Sequence, residues 1–400
     1  MRFREKDQPS RDGYDEDSGP PRVVGLRDRI AHFTWSACTM STGAVAIVLA
    51  NAPNTFTGLR TIGKIFYILN VILFCLFSCL IAIRFVLVPA KLSASIHHPV
   101  EGLFHGAYWV SVSLILNGAQ AYGVPDTGPW LVKALEVCFW IYCAVVFIVG
   151  VAQYFVFFQG ERLSVRDAVP AWIFPIYPLL VVGCMAGTMV PSQTGPRGWY
   201  MFVGAVTLQG LGWVVALMMY SLYTQRLMTS ALPSPSSRPG MYVSVGPAGY
   251  TAAGLISLAK QAPSIVPPDQ FTNLEIADGE IIKIVGILSG LFIVLFAFWF
   301  FCISTIAVIA GARHMTFTLN WWAFIFPNAG LILATIQVGS VLTSEAINGV
   351  CSALTILLVI AWLGVAFCCV RALWRGQVMW PGKDEDKDMH EVGWGRCGVL

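Results

Sequence analysis

Charge is what this chain has least of. Only 12% of its 400 residues are charged, where a soluble protein carries roughly 25%. The charges that exist gather in Met1–Arg29, in short connections and from Gly376 onward. A water-soluble domain is thereby excluded. Chemical motifs are also missing. There is no His-Glu-x-x-His, no Gly-x-Ser-x-Gly and no aspartate pair within an apolar span, so no enzyme is expected. No Gly-x-x-x-x-Gly-Lys-Ser/Thr loop is present, which leaves ATP-driven work without machinery. The 11 cysteines, among them Cys38, Cys75, Cys79, Cys143 and Cys184, have neither disulfide nor zinc-site spacing. No metal and no cofactor is expected. The net charge of +3 is too small to point to nucleic acid. Met1–Arg29 is too polar for a signal peptide and too acidic for a transit peptide.

Long apolar runs fill the rest. A bilayer-crossing helix needs about 20 residues, and ten such spans are expected: 33–51, 64–88, 102–122, 130–157, 169–190, 199–224, 240–261, 281–311, 318–341 and 346–373. The fold expected is an all-α polytopic membrane protein. A membrane domain over 31–375 would lie between cytosolic tails at 1–30 and 376–400, the first of them disordered.

Every second span is interrupted. Met40-Ser41-Thr42-Gly43, Ser244-Val245-Gly246-Pro247 and Phe326-Pro327-Asn328-Ala329-Gly330 lie in odd spans. The even spans are mostly plain Leu, Ile, Val and Phe. Gly43, Pro175, Pro178, Pro247 and Pro327 are the expected kinks. Lipid cannot satisfy a freed carbonyl, so broken helices must face protein or a water-filled cavity. This predicts an inner ring of odd helices inside an outer ring of even ones, the plan of a pore or transporter. The odd spans also share aromatic or Pro-rich starts, which suggests a repeated hairpin.

Small polar residues of the odd spans would line the path: Ser36, Thr39, Ser41, Thr42, Ser111, Ser244, Thr251 and Asn328. The alternative for each is a hydrogen bond within or between helices. Basic residues in the connections favour cytosolic termini. His105, Arg238 and Arg313 then stand at a cytosolic mouth. Two readings fit them, a funnel that concentrates anions and a topology signal alone. Arg84 is expected to snorkel, Glu136 to pair with Lys133, and Glu101 to stabilise a helix start. Glu101 and His105 lie four apart, which leaves proton coupling through them as an alternative.

Four stretches carry a resemblance: Phe33 to Gly43, His98 to Gly106, Arg238 to Pro247, and Trp321 to Pro327. In them the chain resembles the tellurite-resistance/dicarboxylate transporter family over roughly residues 27–383. Within it the chain looks most like the fungal malic-acid transporters, as its Trp35 and its Trp380–Asp386 segment suggest. The resemblance implies five helical hairpins with quasi-fivefold symmetry around a central pore, commonly in a homotrimer. It implies transport of malate, succinate or fumarate across the plasma membrane. The alternative is a sulfite efflux pump or an inorganic-anion channel of the same fold. In this family a phenylalanine beside the ninth-helix kink plugs the pore. Phe326 matches that motif, with Phe324 as the neighbouring candidate and ordinary packing as the alternative role.

Overall fold

The computed structural model describes residues 30, 33, 35, 37–97, 101–160, 164–268, 270–271 and 276–378. Ser36 and both expected tails, save Ile30 and residues 376–378, lie outside that set. The described residues are helical, with no strand among them. The main helices are α1 (Cys38–Ala50), α2 (Leu59–Leu87), α3 (His105–Gly118), α4 (Pro129–Gln159), and α5 in two pieces (Tyr177–Leu180 and Val182–Met189). Then come α6 (Arg197–Thr229), α7 (Val245–Ile265), α8 (Asp278–Gly311), α9 (Phe326–Leu342) and α10 (Glu345–Trp374). Among the described residues six helical stretches, namely α2, α4, α6, α8, α9 with its preceding turn, and α10, are long and apolar enough to cross a membrane.

The even helices each bury one stripe. In α2 it runs Leu59, Gly63, Phe66 and Asn70. In α8 it runs Gly286, Gly290, Ile293, Ala297, Phe300, Ser304, Ala307 and Gly311. Steps of three and four place each set on one helix face. The opposite face is exposed yet apolar, as Leu288, Phe292, Leu295, Ile306 and Ile309 show on α8. A continuous apolar surface of this kind belongs in lipid. The odd helices are buried almost all round. In α1 every residue from Cys38 to Leu49 is buried, and α7 packs chiefly against α8 and α9.

Proline explains how several odd helices begin. Proline lacks an N–H and clashes with the preceding turn, but the first helical turn tolerates it. Pro178 stands in the first turn of α5, Pro247 in that of α7 and Pro327 in that of α9. Tighter 3₁₀ turns precede them over Pro170–Ile173, Pro235–Ser244 and Leu319–Phe324. Pro175 falls between the Pro170–Ile173 turn and α5. Gly43 differs, because α1 runs through it unbroken. A Cβ there would come within 2.6 Å of Asn70 Nδ2, so Gly43 lets α1 and α2 approach closely.

Carbonyls near the breaks are met by the outer helices. Tyr142 Oη of α4 donates to Pro178 O at 3.1 Å, and Tyr154 Oη to Trp172 O at 2.9 Å. Tyr220 Oη of α6 donates to Ser244 O, and Gln209 Nε2 to Thr251 O at 3.0 Å. A polar group buried without such a partner costs several kcal/mol in a membrane. Tyrosine suits this role, since its ring stays in apolar surroundings while its hydroxyl reaches inward.

Three charge expectations are corrected. Arg84 does not snorkel; its side chain is fully buried against Glu101 and Phe33 O. Glu101 is therefore an ion-pair partner in the turn before α3. Glu136 pairs with Arg197 at 3.4 Å rather than with Lys133, because α6 begins beside α4. Between α3 and α4, Asp126 accepts from Lys64 at 2.6 Å. That hydrogen bond and the nearby cations hold its carboxyl below the usual range.

Candidate functional site

The starts of α1, α3, α5, α7 and α9 surround a cavity of about 430 Å³. Met40 comes from α1. Leu103 and Phe104 precede α3, and Phe174 precedes α5. Met241 and Val243 precede α7, and Ala323 and Pro327 flank the start of α9. The lining is mainly apolar. Among the described residues Asp167 is the one charged lining residue, with Asn320, Ser237 and Tyr223 adding polarity.

The far parts of the same helices surround a second, narrow cavity of about 20 Å³, room for about one water. Ile47 belongs to α1 and Asn117 to α3, while Asn51 follows α1 directly. Cys184 and Thr188 come from α5, Ala253 and Ser257 from α7, and Leu333 and Gln337 from α9. This ring holds a larger share of polar side chains than the first, among them Asn51, Asn117, Thr188, Ser257 and Gln337. Thr188 Oγ1 donates to Asn117 Oδ1 at 2.8 Å.

Aromatic residues lie between the two sets of lining residues along α5 and α7, Tyr177 between Phe174 and Cys184 and Tyr250 between Val243 and Ala253. Pro327, on the wide cavity, and Leu333, on the narrow one, lie six positions apart on α9. That is about 9 Å of helix. Phe326, the residue before Pro327, is fully buried. Its ring stacks on Tyr250 of α7 with centroids 4.8 Å apart, and tilts against Tyr177 of α5 at 5.3 Å. Three inner helices thus meet ring to ring. Tyr250 Oη donates to Phe326 O at 3.1 Å. Gly246 allows the contact, since a Cβ there would overlap Tyr177 Oη and lie 3.2 Å from Pro327 Cα. Phe326 follows Ile325, where the 3₁₀ turn gives way to α9. The ring therefore stands at a backbone joint. Phe324 lies to one side, against Tyr242 at 5.3 Å and Trp321 at 5.8 Å.

The small polar residues expected along the path line neither cavity. Thr39 and Ser111 bond to each other at 2.8 Å between α1 and α3. Ser41 Oγ donates to Trp322 O at 3.1 Å. Thr42 bonds Cys38 O and accepts from Trp362 of α10 at 3.1 Å. Ser244, Thr251 and Asn328 bond backbone carbonyls of Met241, Pro247 and Phe324. Each follows the alternative of a hydrogen bond within or between helices. The polar ring of Asn51, Asn117, Thr188, Ser257 and Gln337 was not anticipated. Its signal was present, as one or two polar residues toward the far end of every odd span.

The basic mouth is likewise rearranged. Arg238 donates to Pro233 O at 3.0 Å and to Ala307 O at 2.9 Å, which turns it outward onto α8. Arg313 and His105 are exposed. None of the three lines the wide cavity.

A family described as voltage-dependent anion channel matches residues 31–370. The malic acid transport protein of Schizosaccharomyces pombe is 34% identical over 368 residues, which is 91% of this chain and 83% of that protein. The sulfite efflux pump SSU1 of Arthroderma benhamiae is 26% identical over 350 residues, 86% of this chain and 92% of that protein. With that match along most of its length and a lipid-facing belt of apolar helices, the chain is a multi-pass membrane transporter or channel, not an enzyme, and belongs to the voltage-dependent anion channel family.

Proposed function

We propose that the chain carries malate and related C4 dicarboxylates, succinate and fumarate among them, across a membrane. The path would run between α1, α3, α5, α7 and α9. The observation that carries this reading is the pair of cavities, each lined by segments of all five odd spans, with the ring cluster of Phe326, Tyr177 and Tyr250 packed next to the wide one's Pro327. Phe326 is the gate in this reading. A ring at a hydrophobic constriction excludes water and ions until it moves. Among the described residues no charged side chain bonds or stacks on the rings of Phe326, Tyr177 and Tyr250, which favours release of an anion over trapping it. The choice of malate rests on the resemblance to the malic acid transport protein.

The finer architecture belongs to the same proposal. The ten spans would each cross the bilayer, as five hairpins in quasi-fivefold arrangement. Burial supports this, because odd and even helices alternate between inner and outer positions. Both termini would be cytosolic, in the plasma membrane, with three copies each holding its own path.

A second reading is efflux of sulfite or conduction of another inorganic anion. The sulfite efflux relative favours it. Flux of labelled malate into proteoliposomes, with and without imposed voltage and pH gradients, tests the first reading. Malate movement that saturates and competes with succinate is expected. Sulfite tolerance in expressing cells, with no malate movement in vesicles, transfers the assignment to the second.

A further inference from the structure

The two cavities differ in charge as well as in size. Among the described residues, the wide one carries Asp167 and no basic lining side chain. Beside the narrow one stands Lys260 of α7, half-buried. Its Nζ donates to Gln337 Oε1 at 3.3 Å and to Ser340 Oγ at 2.8 Å, both on α9. Among the described residues no carboxylate lies within ion-pair distance of it.

This contact dictates how Gln337 is oriented. An ammonium group has three donors and no acceptor. Gln337 must therefore turn its carbonyl oxygen to Lys260, and its NH₂ group is left for other acceptors. Gln337 lines the narrow cavity. Lys260 uses two of its three protons in the described hydrogen bonds. A net positive charge and unused N–H donors thus converge where the path narrows.

We propose that Lys260 and Gln337 form an anion subsite at the narrow end of the path, and that a carboxylate group is what it takes. One carboxylate oxygen would accept from Lys260 Nζ and the other from Gln337 Nε2. Charge-assisted hydrogen bonds of this kind are stronger than neutral ones. Half-exposure keeps the ammonium in contact with water, so the anion is held briefly and released. The subsite rests on the anion-transport reading given above. A purely structural role would make Lys260 a clamp between α7 and α9. A clamp needs hydrogen bonds alone, whereas the subsite needs the charge.

Gln337→Glu separates the two. It keeps or strengthens the contact with Lys260 but cancels its charge. In oriented proteoliposomes it should raise the half-saturating malate concentration several-fold at the face where α7 ends, and leave the opposite face unchanged. Lys260→Gln should do the same, and Lys260→Arg should restore the parent value. Thermal stability of the Gln337→Glu protein should match or exceed the parent. Unchanged half-saturation in Gln337→Glu, or equal shifts at both faces, overturns the subsite. Bromide provides a probe that needs no transport. Bromide-soaked crystals should show an anomalous peak against Lys260 Nζ in the parent and none in Gln337→Glu. If the parent carries no anion, the transport reading fails, and presence or absence of that peak alone decides the subsite.

Discussion

The guanidinium of Arg84 and the carboxylate of Glu101 meet inside the protein, the first side chain fully buried and the second nearly so. Arg84 Nη2 lies 3.2 Å from Glu101 Oε2, and Nη1 also donates to Phe33 O at 2.8 Å. One side chain of the outer helix α2 thereby ties down the turn before α3 and the backbone before α1. Breaking a buried pair from one side costs about 3–5 kcal/mol, because a charge remains in low dielectric. Replacing both partners by apolar groups of similar size is often neutral. Arg84→Met should therefore lower the melting temperature of the purified protein sharply, and Arg84→Met with Glu101→Leu should recover most of the loss. Equal loss in single and double variants would mean that the ions contribute little beyond packing.

Removing the Phe326 ring should raise flux. Phe326→Ala deletes the ring that stacks on Tyr250 and tilts on Tyr177, so the ring cluster loses its centre. The same change should destabilise the protein by about 3–5 kcal/mol, as buried Phe→Ala changes do. Phe324→Ala, off to the side, should leave flux near the parent level. A well-folded Phe326→Ala protein with unchanged or lower flux would make Phe326 a packing residue.

Two tyrosines of the ring cluster should respond oppositely to loss of a hydroxyl. Among the described residues Tyr177 Oη has no hydrogen-bond partner and is buried, whereas Tyr250 Oη donates to Phe326 O. A typical buried hydrogen bond contributes about 1 kcal/mol, and an orphaned polar group is unfavourable. Tyr177→Phe should hold or raise thermal stability, and Tyr250→Phe should lower it. A loss of stability in Tyr177→Phe would show that its hydroxyl has a partner in the membrane.

The basic mouth can be tested with two arginines that do different things. Arg313→Gln removes an exposed charge, so any loss of flux should appear at low anion concentration and be mimicked by salt. Screening acts over about 8 Å at physiological ionic strength. Arg238→Gln removes the side chain that bonds Ala307 O and Pro233 O. It should lower thermal stability whatever the salt. Flux in Arg313→Gln with the parent's concentration and salt dependence would leave these residues as topology signals only.

The helices and their alternation could be read from the chain because both rest on local chemistry. An apolar run long enough to span lipid is visible residue by residue, and so is a Pro beside a Gly. The place of Phe326 beside the start of α9 was legible from Pro327, while its role as a gate comes from the family resemblance and is a proposal. What escaped depends on which elements meet. Arg84 looked like a span-end residue, but the start of α3 covers it. Glu136 had Lys133 one turn away, yet the beginning of α6 brings Arg197 instead. The hydroxyls of Thr39, Ser41 and Thr42 had the right chemistry for a path, and neighbouring helices claimed their hydrogen bonds. Lys260 and Gln337 lie on different helices, so nothing local announced that one orients the other.

The one-sided burial of the even helices has a consequence for how the chain tolerates change. Along α8, substitutions at Gly286, Gly290, Ile293 and Ala297 meet neighbouring side chains, while Leu288, Phe292 and Leu295 stand exposed on the opposite, apolar face. Acceptable replacements there need only be apolar. A saturation scan should therefore show a rhythm of about 3.6 residues in α2, α4, α6, α8 and α10. In α1 the rhythm should vanish, because residues Cys38 to Leu49 are all enclosed. Natural variation of the lineage is then expected to collect on the lipid side of the outer belt, leaving the inner helices nearly invariant in volume.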